Sequence, residues 1–387
     1  MSQVTELGAL PTIPSALDLV VRATEQQVGG KLILRGINAF ARFTSAALVM
    51  LLMGALVVGV RAEPVQASLF EGRRSGCQGK RVTGGGRALE RAVHRKGPGT
   101  TFCIGRGTYS VSRQGLKLQD GDELNGAGRA RPSPRGNRPA VRIVGRGHRV
   151  IFGGARVRLL DVSITDSAGR STCSSSSACG QTVKPGTSWR LRGVRVHHAD
   201  AQCIGSPGHS LVITQSEIDH CGNRFDGQDQ NGFAGAIKGG INGAFTVTRS
   251  RIHNNNQGIW CDVDCSSQHM PFTVIGNVIL DNYSFGIHYE HTTKDPSTPA
   301  KAVIKNNRVR GNNWGRFGTK ADIGVMSAEN AVVHNNVVGG TRAHPRRGNG
   351  IMFRNTAGRG EASGDVSDNR LNGDSLEGCS LDGVTCQ

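Results

Sequence analysis

The chain has 387 residues, enough for one large domain or two ordinary ones. Glycine is abundant, at 55 residues, and Phe, Tyr and Trp make up only 5% of the chain, so a core must be built from Val, Ile and Leu and suits a long, thin shape. Lys and Arg outnumber Asp and Glu by 47 to 29, a net charge of +18. Such a surface favours polyanions, whether nucleic acid, anionic envelope polymers or uronic-acid polysaccharides, or else serves solubility. The arginines are scattered and aromatics are too few for base stacking, so no nucleic-acid partner is expected.

Residues 1–67 read as a leader. The uncharged run from Phe43 to Val60 follows Lys31, Arg35 and Arg42, and precedes the small residues around Ala67. It is either a secretory signal or a membrane anchor spanning residues 43–60, the only membrane contact expected. Either way the rest of the chain is expected to be secreted or otherwise extracytoplasmic. Ten cysteines agree with an oxidising compartment. Cys173/Cys179, Cys261/Cys265 and Cys379/Cys386 are plausible local pairs, with Cys77/Cys103 and Cys203/Cys221 as longer-range ones. A metal site is the rival reading of Cys261 and Cys265, although no second pair stands at zinc spacing.

Residues 68–96 form a linker and a cap. Apolar Ala88, Leu89, Ala92 and Val93 have helical spacing, and a short helix would cover the open end of a strand stack. From residue 97 short alternating strands are separated by Gly and Asp turns. The pattern apolar-x-x-turn-x-apolar then recurs. Its first position falls at Leu159, Leu191, Ile213, Val247, Val274, Ile304, Val333 and Val366. Its last falls at Ile164, Val196, Ile218, Ile252, Ile279, Val309, Val338 and Leu371. The turn position is Val162, Val194, Ser216, Ser250, Asn277, Asn307, Asn336 and Asn369. A repeat of about 30 residues with short strands and Asn turns means a solenoid. Asn at the turn suits a left-handed backbone, and stacked amides can bond to one another. A leucine-rich horseshoe would need leucine-dense repeats, which are absent. Residues 372–387 read as a polar tail over the far end.

The stretches GTTFCIGRGTYSVS and LKLQDGDELNGAG, with GIWCDVDC, GIHYEHT and GNGIMF, resemble secreted right-handed parallel β-helix proteins of the pectate-lyase-like superfamily. The resemblance covers about residues 77–371. It implies an all-β, single-stranded solenoid of about eight or more rungs over residues 97–371. Members include polysaccharide lyases, glycoside hydrolases, uronate epimerases and proteins without known activity, so it is specific for fold and not for reaction. The polygalacturonase-like set of Asn-Thr-Asp, Asp-Asp and Arg-Ile-Lys is matched only by Ala236-Ile237-Lys238.

Period-2 alternation in each coil's opening strand turns Ile237, Ile259, Ile287, Ile323 and Ile351 inward. One outward column is then Lys238, Trp260, His288, Gly324, Met352, and the next is Gly240, Asp262, Glu290, Met326, Arg354. Asp262 and Glu290, one rung apart at ~5 Å, could act as acid and nucleophile, share a proton, or hold Ca²⁺ together with Asp264. Lys238, bare between glycines, would neutralise a uronate carboxylate or act as base. His288 would transfer protons, Trp260 would stack on a sugar, and Arg354 would grip a carboxylate. Asp226 and Asp229 lie on a preceding loop and read as a polar turn. The expectation is an exported, monomeric carbohydrate-active enzyme, lyase or hydrolase, acting on an anionic polysaccharide. The alternative is a non-catalytic glycan- or envelope-binding scaffold. Other nucleophile or phosphate-loop motifs are not found.

Overall fold

The computed structural model describes residues 77–128, 139–146, 149–166, 181–199, 201–205, 209–222, 235–240, 243, 245–262, 265, 271–290, 302–314, 321–341, 344, 349–356 and 361–387. The apolar run 43–60, Cys173, Cys179, Asp226, Asp229 and Asp264 lie outside the described residues. Among the described residues, no helix is long and apolar enough to cross a membrane.

Three parallel sheets run the length of the molecule, with twelve strands in sheet A, nine in sheet B and ten in sheet C among the described residues. Each coil visits C, A and B in turn. One coil, for example, uses Ile237–Gly239, Phe245–Thr248 and Arg251–His253 before the next begins at Ile259–Cys261. This is a parallel β-helix, and the repeat read from sequence is its coil.

The two apolar positions of the repeat become two columns of the core. In sheet A, Leu159, Leu191, Ile213, Val247, Val274, Ile304, Val333 and Val366 are direct partners from coil to coil, and all are buried. In sheet B, Ile164 through Val338 align in the same way. Sheet C supplies a third column, Leu116, Ile151, Val183, Ile204, Ile237, Ile259, Ile287, Ile323 and Ile351. Slipping one residue would turn every one of these side chains to water, so the register is firmly set.

The turn between sheets A and B carries the amide ladder, with a difference from expectation. The left-handed residue is the one before the ladder position: Asp161, Gln215, Arg249, Asn306, Asn335 and Asp368 have φ of about 50°, with Gly193 and Gly276 beside them. The ladder residue itself points inward and pairs the corner. Asn307 Oδ1 accepts from the backbone N–H of Asn277 at 2.9 Å and from its Nδ2 at 3.0 Å, while Asn307 Nδ2 donates to the Val274 carbonyl at 2.8 Å. The same bonds repeat at Asn336 and Asn369, and Ser250 supplies the acceptor higher up. A second ladder, Asn255, Asn282, Asn312, runs along the turn between sheets B and C. It ends on buried Asp322, which accepts from the backbone and Nδ2 of Asn312 and from the Gly339 N–H. Burial pushes the Asp322 carboxyl up to about 8.

The helix α1 (Gly86–Arg95) lies at the start of the stack with Leu89 and Val93 buried against the first coil. It sits so close that a Cβ on Gly86 would fall 1.6 Å from the Ser110 carbonyl oxygen. Residues 372–387, expected as a tail, instead add Ser375–Glu377 to sheet C and Val384–Cys386 to sheet A. Disulfides join Cys77–Cys103, Cys203–Cys221, Cys261–Cys265 and Cys379–Cys386, as paired from sequence.

Asn307→Ala leaves the Asn277 N–H buried without its acceptor and removes the amide bond to the Val274 carbonyl. It is expected to destabilise the protein by about 2–4 kcal/mol in urea denaturation. Asp322 gains its proton on folding, so its contribution is complete below the ordinary aspartate value of 3.8 and is lost as pH rises through about 8. Asp322→Asn removes that loss. Between pH 5 and 9 the variant is expected to gain stability relative to the parent protein, and a constant difference would refute the assignment.

Candidate active site

The register brings the expected outward columns together on sheet C. Lys238 pairs with Trp260, Trp260 with His288, His288 with Gly324 and Gly324 with Met352. Asp262 and Glu290 each follow by one residue the paired Cys261 and Tyr289. Glu290 aligns with Met326, and Met326 with Arg354, which is exposed two coils further on. Ile237, Ile259, Ile287, Ile323 and Ile351 face the core, as do Cys261, Tyr289, Val325 and Phe353.

The side chains make a stack. Lys238 Nζ lies 3.7 Å above the centre of the Trp260 ring. Trp260 lies parallel to His288, with centroids 5.6 Å apart, and His288 lies parallel to Phe285 at 4.3 Å. Phe285 fits because its neighbour is Gly324, where a Cβ would come within 2.5 Å of the phenyl ring. Lys238 also forms an ion pair with Asp262 Oδ2 at 2.9 Å.

Two expectations change. Lys238 was expected to present a bare ammonium, yet it is only 8% exposed, laid over the Trp260 ring and against Asp262. Burial pulls its pKa down, and the Asp262 hydrogen bond with the charges of Asp262 and Glu290 offsets only part of that fall. His288 was expected to hand protons to a substrate. It is instead packed: Gln257 Nε2 donates to its Nδ1 at 3.1 Å, and its Nε2 faces Met326 Sδ at 3.2 Å. Gln257 and Met326 thus hold the imidazole from its two nitrogen edges. His288 thereby holds Trp260 flat beneath Lys238. Met352, also on the outward column, is fully buried with Phe285 and Ala321.

Of the three residues expected to hold Ca²⁺, which takes about six to eight oxygens, Asp262 is paired with the Lys238 ammonium, Glu290 follows one coil on, and Asp264 lies outside the described residues.

A second polar cluster, not foreseen, lies on sheet B. Arg195 grips Asp219 with two bonds, Nε to Oδ1 at 2.9 Å and Nη2 to Oδ2 at 2.8 Å. Asp219 is fully buried; burial would raise its pKa, but the hydrogen bonds from Arg195 and His220 outweigh that and hold it below the usual carboxylate range. His253 Nε2 meets Glu217 Oε1 at 2.9 Å. The signal was present in the repeat: Arg195-x-His197-His198, Glu217-x-Asp219-His220 and Arg251-x-His253 share one offset.

With that geometry in hand, comparison with known proteins is informative about architecture. A family model described as a right-handed β-helix region matches residues 160–338. No curated protein sequence matches the chain. Among solved structures, an alginate lyase from Paenibacillus sp. str. FPU-7 superposes with TM-score 0.51 at 13% identity, covering 79% of this chain and 99% of that one. The A-module of a mannuronan C-5 epimerase from Azotobacter vinelandii gives TM-score 0.46 at 13% identity, over 81% and 98% of the two chains. A pectate lyase gives TM-score 0.41 at 13% identity, over 72% of each. The chain has the right-handed parallel β-helix fold.

Asp262→Asn takes away the partner that favours the charged lysine. Lys238 is then expected to titrate still lower than in the parent protein. NMR of selectively labelled lysine measures this, and an unchanged titration would mean that Asp262 does not govern Lys238.

Proposed function

We propose that the protein is an exported enzyme that cleaves an anionic, uronate-containing polysaccharide by β-elimination on the outer face of sheet C. The observation that carries this reading is the Lys238–Asp262 ion pair, set on Trp260 and beside Glu290. An incoming uronate carboxylate can take the place of Asp262 on Lys238. That neutralises the uronate and acidifies the proton on its neighbouring carbon. The displaced Asp262 carboxylate, with Glu290 at the same edge, takes this proton. The electron pair left behind forms the ring double bond and expels the glycosidic oxygen, which takes a proton from water. Arg354, two coils beyond Glu290, meets a different sugar unit of the same chain.

The ion pair favours elimination over hydrolysis. A retaining hydrolase needs one carboxyl as acid and the other as nucleophile, and Asp262 is instead engaged with a cation. The net charge of +18 supports an anionic substrate. The β-helix of similar shape that acts on alginate, a polymer of uronates, supports the substrate class. The disulfides support an oxidising compartment outside the cytoplasm, and a leader in residues 1–67 would deliver the chain there. Burial of Lys238 and covering of His288 favour a second reading, a glycan-binding scaffold without turnover.

Incubation with alginate, polygalacturonate and neutral glucans separates these readings. Elimination produces the ultraviolet absorbance of an unsaturated uronate, and Lys238→Ala and Asp262→Asn should each lower its rate by about 10²-fold or more. New reducing ends without that absorbance would show hydrolysis, and binding without either would show the scaffold. Both results overturn the lyase reading.

A further inference from the structure

Sheet B carries a histidine-rich cluster that the reaction proposed for sheet C does not use. Its residues come from three consecutive coils. His197 pairs with Asp219 and Asp219 with His253, while Arg195 pairs with Glu217. His198 and His220 fall between paired residues of neighbouring strands, and their rings stack at 4.7 Å with only 10° between planes. Both have φ of 55°, which sets them at the corner where the chain leaves sheet B. His198 is exposed and His220 half-buried.

One nitrogen of each ring is held from below. His220 Nδ1 lies 2.7 Å from Asp219 Oδ2, and Asp219 is itself clamped by Arg195. His198 Nδ1 lies 2.7 Å from His197 Nδ1, and His197 Nε2 rests on Ser163 Oγ at 3.0 Å. A histidine anchored at Nδ1 by a carboxylate is the arrangement that orients imidazoles for a metal ion. His198, Asp219 and His220 each offer a ligand atom, all within 4.8 Å of one another. Glu217, Asp219 and His253 form a second such group sharing Asp219.

We propose that sheet B holds a binding site for a divalent transition-metal ion of the zinc class, ligated by the Nε2 atoms of His198 and His220, with Asp219 holding His220 in place at Nδ1. Two imidazoles suit Zn²⁺ rather than Ca²⁺, with the remaining positions open to water or to an outside ligand. The ion bridges adjacent coils and so ties strands 22 residues apart in sequence, adding stability to the stack when bound.

The test uses the mature, disulfide-bonded protein after dialysis against chelator, titrated with Zn²⁺ alone by calorimetry and followed by thermal melting. One Zn²⁺ per chain and a raised melting temperature are expected. His198→Asn and His220→Asn should each weaken binding by about tenfold or more, and the double variant should abolish it. Asparagine tolerates the left-handed backbone at both positions, and melting without metal verifies that each variant folds as the parent does. Absence of Zn²⁺ uptake by the parent protein overturns the proposal. So does equal uptake by the parent and the double variant, or loss of uptake in Glu217→Gln with retention in the double variant.

Discussion

The corner between sheets A and B is the constraint on which the rest depends. Backbone groups within a strand find partners in the coils above and below. At a corner the chain changes direction, and its N–H and C=O groups fall out of line with both sheets while still buried. Each unpaired group would cost about 1–3 kcal/mol. Asn277, Asn307, Asn336 and Asn369 remove that cost by placing an amide inside the corner, where its oxygen takes the N–H of one coil and its nitrogen serves the carbonyl of that coil's sheet A strand. Ser216 and Ser250 accept the same N–H with a shorter side chain, but donate to carbonyls of their own coil, Thr214 and Thr248. Because each ladder residue reaches to the next coil, the bonds fix the height of successive coils as well as closing the turn.

Fixed height converts spacing along the chain into neighbourhood in space. Lys238, Trp260 and His288 lie far apart in sequence and become one stack. The energetics of Lys238 follow from that stack. The ring beneath it is worth about 2 kcal/mol for a desolvated cation, and Asp262 adds a charge-assisted hydrogen bond. Burial still wins, since the lysine's pKa falls rather than rises. The lysine is therefore held by two partners at once, the ring below and the carboxylate beside it.

Legibility in the sequence followed the strength of the repeating term. The apolar columns were readable because each coil must bury one residue at each of the same places, so Leu159 through Val366 form an unbroken series. The left-handed position was misplaced by one residue. It is filled by Asp161, Gly193, Gln215, Arg249 and Gly276 as readily as by Asn306, and this mixture hides it beside the conspicuous asparagines. The column containing Lys238 was readable, but its burial was not. Covering depends on Phe285, which comes from the turn before His288, and on the missing side chain of Gly324. Neither lies at a repeating position. The cluster at Asp219 is less legible because its charged and imidazole side chains alternate in type from coil to coil along sheet B. Aligned, Arg195, Glu217 and Arg251 head three equivalent segments, with His197, Asp219 and His253 two residues on.

The two polar clusters show how a solenoid separates chemistry from folding. Every coil gives the core one apolar column per sheet and leaves the alternate positions outside. Asp262 and Glu290 belong to the outer edge of sheet C, and His198 and His220 to the corner of sheet B. The Ile and Val columns lie between them. A substitution on one face therefore leaves the ladders intact, and groups without shared partners contribute independently. Ladder residues have no such freedom. Replacing Asn307 disturbs the coil above through Asn277 and the coil below through Asn336, and so moves the spacing on which both faces rely. The interior of the corner thus limits variation more tightly than the outer positions of either face.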